Sequence, residues 1–153
     1  MKHSSAEKVW LESNGGKQTL KSFGLACVRD LAPDYLAFFS ELGYYFEVDD
    51  YILVHAGLSF KHENPLEDHH QLLWIRDWYK DIDFDWLQNR IVVHGHTPIP
   101  VKSIQDWSKQ VSLWQVLGID AGCVYQDERY NHLCALELTS KELFFQKNID
   151  YEW

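Results

Sequence analysis

The stretch IVVHGHTPIP, residues 91–100, places two histidines at the end of a short apolar run. Residues 91–93 are three consecutive β-formers, and they predict a buried strand. A strand does not continue through the Gly-His-Thr-Pro that follows, so His94 and His96 fall at its carboxyl end. Ligands and catalytic groups collect at this end of the strands in α/β sheets. The stretch therefore predicts a functional site at a sheet edge.

The composition is that of a globular chain with an acidic surface. A length of 153 residues predicts one domain, residues 1–153, because single cores usually belong to domains of about 100 to 200 residues. Hydrophobic residues make up 46% of the chain, which is enough to form a core. The net charge of −9 argues against a nucleic-acid duplex as partner, since phosphate contacts require clustered Lys and Arg. A phosphate substrate stays open, because a bound divalent metal reverses the local field.

Membrane and disulfide signals are both absent from the sequence. No window approaches the roughly 18 consecutive apolar residues of a membrane helix. Residues 1–3 are followed by polar residues and not by the apolar segment of a signal peptide. We therefore expect a cytoplasmic protein with no membrane partner. Cys27, Cys123 and Cys134 are odd in number and lack CxxC spacing, which predicts buried, reduced thiols.

The first half of the chain shows helical patterns and one hairpin. A short helix is predicted over residues 5–12. A second helix opens at Pro33, carries apolar residues at helical spacing and stops at Gly43. Residues 44–48 and 51–55 flank an Asp-Asp pair and predict two strands joined by a tight turn.

The second half of the chain is richer in β-formers. Residues 71–80 predict a helix, which a connection joins to the strand at 91–93. Beyond Pro100, strands are predicted over residues 100–105, 110–119, 132–138 and 142–147. The last two form a hairpin. Helices early and strands late predict a mixed α/β fold of the α+β kind.

A further histidine, His55, closes the apolar run 51–54 and is followed by an Ala-Gly pair. Imidazole is a nitrogen donor suited to Mn, Fe or Zn, and adjacent glycines let a ligand approach the backbone. His55 and His96 are therefore candidate metal ligands. The alternative, which spacing leaves open, is that each histidine is a polar residue with hydrogen bonds inside the core.

Four blocks of sequence, taken in order, resemble a known family. They are residues 53–57 (LVHAG), 72–76 (LLWIR), 92–98 (VVHGHTP) and 118–122 (GIDAG). These blocks resemble the bacterial branch of the phosphoprotein phosphatase family of calcineurin-like metallophosphoesterases, and residues 10–24 are similar to the stretch after that family's Gly-Asn-His-Glu motif. The resemblance implies a β-sandwich of two mixed sheets flanked by helices, and metal-dependent hydrolysis of phosphate esters.

The resemblance also implies roles for single residues. His55 and His96 match ligands of a divalent metal, which is Mn, Fe or Zn. Arg76 matches the arginine that clamps the substrate phosphate, since a guanidinium holds two phosphoryl oxygens at once; the alternative is a surface charge on a helix. His94 stands at a position that is usually not a ligand, and it supports the site or packs beside it. Asp120 either orients a metal-bound histidine or makes local turn hydrogen bonds.

The resemblance covers about the C-terminal two-thirds of such a phosphatase. The family's N-terminal motifs, Gly-Asp-x-His-Gly, Gly-Asp-x-x-Asp-Arg-Gly and Gly-Asn-His-Glu, do not occur in the sequence. They provide the bridging aspartate, further ligands and the histidine acid. We therefore expect a partial sandwich without its first βαβ units, and little or no phosphatase turnover. An unpaired strand edge favours a homo-oligomer or a complementing N-terminal segment.

Two functions of different class stay open, so the sequence does not decide whether the chain is an enzyme. The first is a phosphoesterase acting on a phosphorylated protein or a nucleotide, with substrate choice set by loops such as 58–70 and 126–131. The second is a truncated or decayed phosphatase chain that acts as a binding module without catalysis. A histidine-rich metal buffer fits less well, because most of the histidines stand singly.

Overall fold

The computed structural model describes residues 5–150, and the chain divides into two compact units. The first unit ends at Leu42 and the second begins at Gly43. The sequence-based assignment of a single domain stays a prediction. The first unit contains helix α1 (Ser5–Ser13), helix α2 (Gly16–Ser22), a 3₁₀ turn (Val28–Asp30) and helix α3 (Pro33–Glu41).

The helices of the first unit follow the sequence pattern. The structure confirms the helix predicted over residues 5–12 and the helix that opens at Pro33, because a proline is well suited to the first position of a helix. Gly15 adopts a left-handed conformation with φ of 75° and separates α1 from α2. All residues of α1 and α3 are described, and none of them is buried.

The second unit is a mixed α/β structure with two sheets. A four-stranded sheet has the order β1-β2-β3-β4, and a two-stranded antiparallel sheet contains β5 and β6. The strands are β1 (Tyr45–Val48), β2 (Tyr51–Val54), β3 (Ile91–His94), β4 (Val116–Gly118), β5 (His132–Leu136) and β6 (Leu143–Lys147). The helices are α4 (His69–Trp74), α5 (Phe84–Leu87), α6 (Val101–Ser108) and α7 (Val111–Trp114), with 3₁₀ turns at Pro65–Glu67 and Tyr79–Asp81.

The two predicted hairpins are confirmed. Strands β1 and β2 pair antiparallel around the turn at residues 49–50, with Val48 opposite Tyr51. Strands β5 and β6 pair in the same way, with Leu136 opposite Leu143. By contrast, β2, β3 and β4 run parallel to one another. Their carboxyl ends therefore meet at one edge of the larger sheet.

The parallel strands β2, β3 and β4 of the larger sheet are covered on both faces, as expected for parallel strands. One face packs on α4, α5 and the segment between them through buried Ile52, Val92, Leu72, Trp78 and Leu87. The opposite face forms a second core that includes Ile104 of α6 and partly buried residues of β5 and β6. The two sheets therefore pack against each other across this second core, and the Tyr51 hydroxyl donates to the Leu138 carbonyl between them at 2.9 Å.

Two of the strands predicted after Pro100 are wrong. Residues 101–108 form α6 instead of a strand over 100–105. Of the predicted strand 110–119, only β4 is extended, and its first part is α7. Val101 and Ile104 are β-branched, but their spacing of three places both on the covered side of a helix, and the Lys102–Asp106 ion pair spans one turn at 3.0 Å.

The helix predicted over residues 71–80 is also corrected. It begins at His69, because the Asp68 carboxylate accepts a hydrogen bond from the Gln71 amide at 3.1 Å and caps the first turn. It ends at Trp74, since Ile75 is extended. Residues 75–78 form a loop, and the 3₁₀ turn at Tyr79–Asp81 follows it. The early end of α4 places Arg76 on a loop and not on a helix.

Smaller predictions are refined by the structure. The three cysteines are free thiols, but they are half-buried and not buried, and burial raises the pKa of Cys134 to about 11.

Within residues 5–150, no helix combines the length and apolar character needed to cross a bilayer. Among the same residues, β1 pairs with β2 alone and leaves its other edge open, with Phe46 62% exposed.

Substitution of Leu72 tests the core that supports the site. Its side chain is fully buried, and its carbonyl accepts a hydrogen bond from the Ala56 amide at 2.9 Å. Leu72→Ala should lower the free energy of unfolding by about 2–5 kcal/mol, because it leaves a cavity in a packed core. Urea unfolding measures the change. Leu113→Ala is the matched control, since Leu113 is 70% exposed; equal losses in both variants would contradict the assigned core.

Candidate functional site

The candidate site is built on the carboxyl ends of the parallel strands β2, β3 and β4. Val54 lies opposite His94, and His94 lies opposite Gly118, so the three strands end in step. Hydrogen bonds continue past these ends, from the Gly95 amide to the His55 carbonyl at 2.9 Å and from the Ile119 amide to the His94 carbonyl at 2.8 Å. The loops that leave the strands are therefore fixed side by side.

His55 and His96, which the sequence singled out as metal ligands, lie together at this edge. The Nε2 of His55 is 3.0 Å from the Nδ1 of His96, and the ring centroids are 4.8 Å apart. His55 is exposed and His96 is half-buried. The Trp74 ring meets His96 edge-on at 5.9 Å and covers one side of it. The pair thus forms a surface site with one apolar wall.

A tight turn aims His96 at His55. The Thr97 amide donates to the Gly95 carbonyl at 2.7 Å, two residues apart, and His96 between them has a φ of 66°. These features define a γ-turn with positive φ, a rare and strained conformation for a residue with a side chain. The strand ends at His94, and the turn directs His96 away from the strand.

Arg76 reaches the same turn from the loop after α4. Its Nη1 donates to the Thr97 hydroxyl at 3.3 Å, and its side chain is exposed. Burial, followed by the positive charge of Arg76 and the neighbouring His55, lowers the pKa of His96. A neutral His96 keeps a lone pair available for an electrophile at neutral pH. The structure therefore brings Arg76, His55 and His96 together.

His94 is separated from the other two histidines. Its side chain is 2% exposed, its Nδ1 is 2.9 Å from the Gly95 carbonyl and its Nε2 is 3.0 Å from the Tyr79 hydroxyl. Burial lowers the pKa of His94 and keeps the ring neutral. Both of its ring nitrogens have partners away from His55 and His96.

Asp120 lies at the end of β4 beside the turn. Its carboxylate accepts a hydrogen bond from the Gly122 amide at 2.9 Å, and its carbonyl accepts one from the Ile99 amide at 2.8 Å. The bond to Gly122 is a local turn hydrogen bond, which is one of the two alternatives that the sequence left open. The bond to Ile99 ties the end of β4 to the segment after the His96 turn. Its negative charge also acts on His94 and His96 and opposes the lowering of both pKa values. Asp120 thus shapes the loop and the field of the site.

The spacing of the histidine pair suits part of the coordination sphere of a metal ion. In the absence of an ion, the 3.0 Å separation is that of a hydrogen bond between the two rings, with the proton on one of the two nitrogens. Two unprotonated nitrogens bound to one ion at about 2.1 Å would lie about 3.0 to 3.4 Å apart for angles of about 90° to 110°, so the same separation also suits a shared ion. The Nε2 of His96 is buried without a hydrogen-bond partner, but it is not the nitrogen that faces His55, so it does not contribute to this fit. Among the described residues, no group of three or more His, Cys, Asp or Glu side chains is arranged to hold a metal. The residues present thus fit two coordination positions of an ion.

Several contributors to the site were not predicted from the sequence. Thr97 stands inside the quoted motif, so its position was known but its contact with Arg76 was not. Trp74 belongs to the LLWIR block, but its contact with His96 depends on α4 ending at Trp74, which the sequence did not predict. Tyr79 lies 15 residues before His94 in sequence, and no spacing rule connects the two. These contacts arise from the packing of the α4–α5 segment on the sheet.

A comparison with known protein families, curated proteins and solved structures finds no match for the chain. The relationship to the calcineurin-like metallophosphoesterases therefore stays a prediction from the four sequence blocks.

The pH dependence of stability tests the buried state of His94. Its lowered pKa means that the unfolded chain binds more protons than the folded chain once the pH falls through the ordinary value of 6.5. The free energy of unfolding of the metal-free chain should therefore fall from pH 7.5 to pH 5.5. Urea unfolding across this range should show a shallower fall in His94→Phe, by at most about 1.4 kcal/mol per pH unit.

A residual slope is expected in that variant, because the pKa of His96 is lowered in the same direction. His70→Phe provides the control, since His70 is exposed. An unchanged slope in His94→Phe would mean that His94 is not held neutral by the fold.

Proposed function

We propose that the carboxyl edge of the larger sheet is a metal-dependent phosphoesterase site in a chain related to the calcineurin-like metallophosphoesterases, with a partial form of their sandwich fold. The observation that carries the proposal is the 3.0 Å approach of His55 Nε2 and His96 Nδ1. Two parallel strands and a strained turn are needed to produce it. Arg76, bonded to the next residue of the same turn, adds the cation that a phosphate requires.

The side chains of the site have separable tasks. Arg76 would hold two phosphoryl oxygens through the parallel N–H groups of its guanidinium. The Thr97 hydroxyl fixes one arm of that group by accepting a hydrogen bond at 3.3 Å. Trp74 restricts water on one side of His96. The chain has a net charge of −9, so the positive charge of Arg76 would be needed to attract an anionic substrate to this site.

His55 and His96 would hold a divalent ion, with Mn, Fe or Zn as the candidates for imidazole donors. The lowered pKa of His96 favours this role, because only a neutral imidazole ligates. When bound, such an ion supplies an activated water and positive charge for the phosphoryl oxygens.

The substrate class is a phosphorylated protein or a nucleotide. Pro98, directly after the site turn, lines a surface hollow together with Tyr125, Gln126 and Tyr130. The 126–131 loop therefore borders the site, which supports its proposed part in substrate choice. An aromatic wall of this kind accepts the ring of a phosphotyrosine or a nucleobase.

A second candidate function is a binding module without catalysis, derived from such a phosphatase. It is favoured by the number of donors: two histidines are available, whereas catalytic zinc sites use at least three protein ligands. The open edge of β1, with Phe46 62% exposed and Val48 42% exposed, would suit a second copy of the chain or a complementing segment. Because the described residues offer two histidine donors instead of three, we propose that turnover by the chain alone is slow or absent.

Metal binding and hydrolysis, measured together, test the proposed function. Calorimetry with Mn²⁺ should show binding that His55→Ala and His96→Ala each weaken at least ten-fold, because each removes one of two donors. Any hydrolysis of p-nitrophenyl phosphate should require Mn²⁺ and be lost in both variants. Arg76→Lys keeps the charge but removes the planar fork, so it should raise KM and leave Mn²⁺ binding unchanged.

His70→Ala is the control, because His70 is an exposed histidine outside the site. Binding without hydrolysis would select the binding module over the enzyme. Hydrolysis that persists in both histidine variants would show a contaminating phosphatase. A chain that binds no Mn²⁺ would reject the metal-dependent phosphoesterase and leave the binding module at the open edge of β1.

A further inference from the structure

The His94 ring is enclosed in a cage formed by Trp78, by Tyr79 and by Gly118 of the neighbouring strand β4. His94 is the last residue of β3, its side chain is 2% exposed, and the Trp78 ring meets it edge-on at 5.5 Å. Tyr79 contacts the same ring, with centroids 5.6 Å apart. A histidine enclosed in this way has few rotamers open to it, so its ring nitrogens are held in fixed positions.

Gly118 completes the cage from the neighbouring strand β4. A Cβ at this position would lie 3.2 Å from both Cε1 and Nε2 of His94, and 2.3 Å from Cδ1 of Ile99. The ring of His94 thus occupies the space that a side chain on β4 would take. This fit requires a glycine opposite the histidine in the register of the sheet.

A chain of hydrogen bonds leads from the cage to the site turn. The Gly95 carbonyl only accepts, so the Nδ1 of His94, 2.9 Å away, carries the ring proton. The Nε2 is then the acceptor in the neutral ring, and the Tyr79 hydroxyl donates to it at 3.0 Å. The Gly95 carbonyl also accepts the Thr97 amide at 2.7 Å, which is the bond that closes the γ-turn.

We propose that Tyr79 and His94 are positioning residues for His96, because their hydrogen bonds fix the carbonyl on which the γ-turn closes and so hold His96 Nδ1 beside His55 Nε2. The proposal rests on the proposed function in one respect, namely that the placed His96 serves to bind a metal ion. The geometric part, the placement of His96, does not depend on any bound ion. Neither Tyr79 nor His94 would touch the substrate.

The proposal gives the strained turn a physical support. A positive φ at a residue with a side chain persists only where neighbouring contacts determine the conformation. A carbonyl that accepts two hydrogen bonds is held in direction better than one that accepts a single bond. Without the Nδ1 donor, the Gly95 carbonyl keeps only the Thr97 amide as a partner. The peptide between Gly95 and His96 is then held less firmly, and the His96 ring shifts from its place beside His55.

Three substitutions test this chain of contacts. Tyr79→Phe removes only the hydroxyl, and His94→Phe removes both ring nitrogens while keeping an aromatic ring. His94→Asn keeps an N–H donor near the Nδ1 position but loses the link to Tyr79. Tyr44→Phe is the matched control, since Tyr44 is 45% exposed and stacks on His69.

Long-range ¹H–¹⁵N NMR correlations of the metal-free chain should report the ring nitrogens directly. We expect the His55 and His96 nitrogen shifts to change in Tyr79→Phe and more strongly in His94→Phe, with partial return in His94→Asn. Calorimetry with Zn²⁺ alone should show affinities about ten-fold weaker in Tyr79→Phe and His94→Phe, in line with the loss of groups that orient a ligand. Thermal unfolding of each variant shows whether it is folded.

The proposal is overturned if the His55 and His96 shifts and the Zn²⁺ affinity of folded Tyr79→Phe and His94→Phe equal those of the wild type. It is also overturned if these variants lose thermal stability while the shifts stay in place, which is the result of a merely structural role. If the wild-type chain binds no metal, the proposed function fails, but the NMR shifts still decide whether Tyr79 and His94 position His96.

Discussion

The in-step parallel pairing of β2, β3 and β4 is the constraint on which the rest of the structure depends. It brings the residues after Val54, His94 and Gly118 to a common edge, although they are far apart in sequence. Each strand is buried on both faces, so a shift of register by one residue would expose core side chains and move every loop of the site. The sheet therefore fixes where the loops that carry His55 and His96 begin, and the turn at His96 sets the remaining distance between the two rings.

On this fixed edge, the turn after β3 holds His96 in a strained conformation. His96 occupies a conformation of a kind that costs about 1–3 kcal/mol, and the energy is supplied by the packed sheet beneath it. The same pattern explains the uneven environment of the histidines: His94 is enclosed and neutral, whereas His55 is open to solvent. His96 lies between these extremes, half-buried beside the exposed ring of His55.

Much of the fold could be predicted from the sequence, and the exceptions have identifiable causes. Local turns decide the two hairpins, so residues 44–55 and 132–147 were predicted correctly. Residues 101–114 were misassigned because β-branched side chains suggested strands, while helical spacing and packing on the sheet decided the outcome. For the site, the strand-end histidines were visible as a pattern. The Tyr79–His94 contact was not, since it depends on how a loop packs after α4 ends.

The absence of a side chain at Gly118 links two positions that are 24 residues apart in the chain. Because the His94 ring and the Ile99 methyl fill the space above this glycine, the sizes of residues 94 and 118 cannot vary independently. In related sequences, a larger residue at 118 should accompany a smaller one at 94 or 99, so that the three positions change together over evolution. Such covariation would identify this packing arrangement even in sequences that have another residue in place of His94.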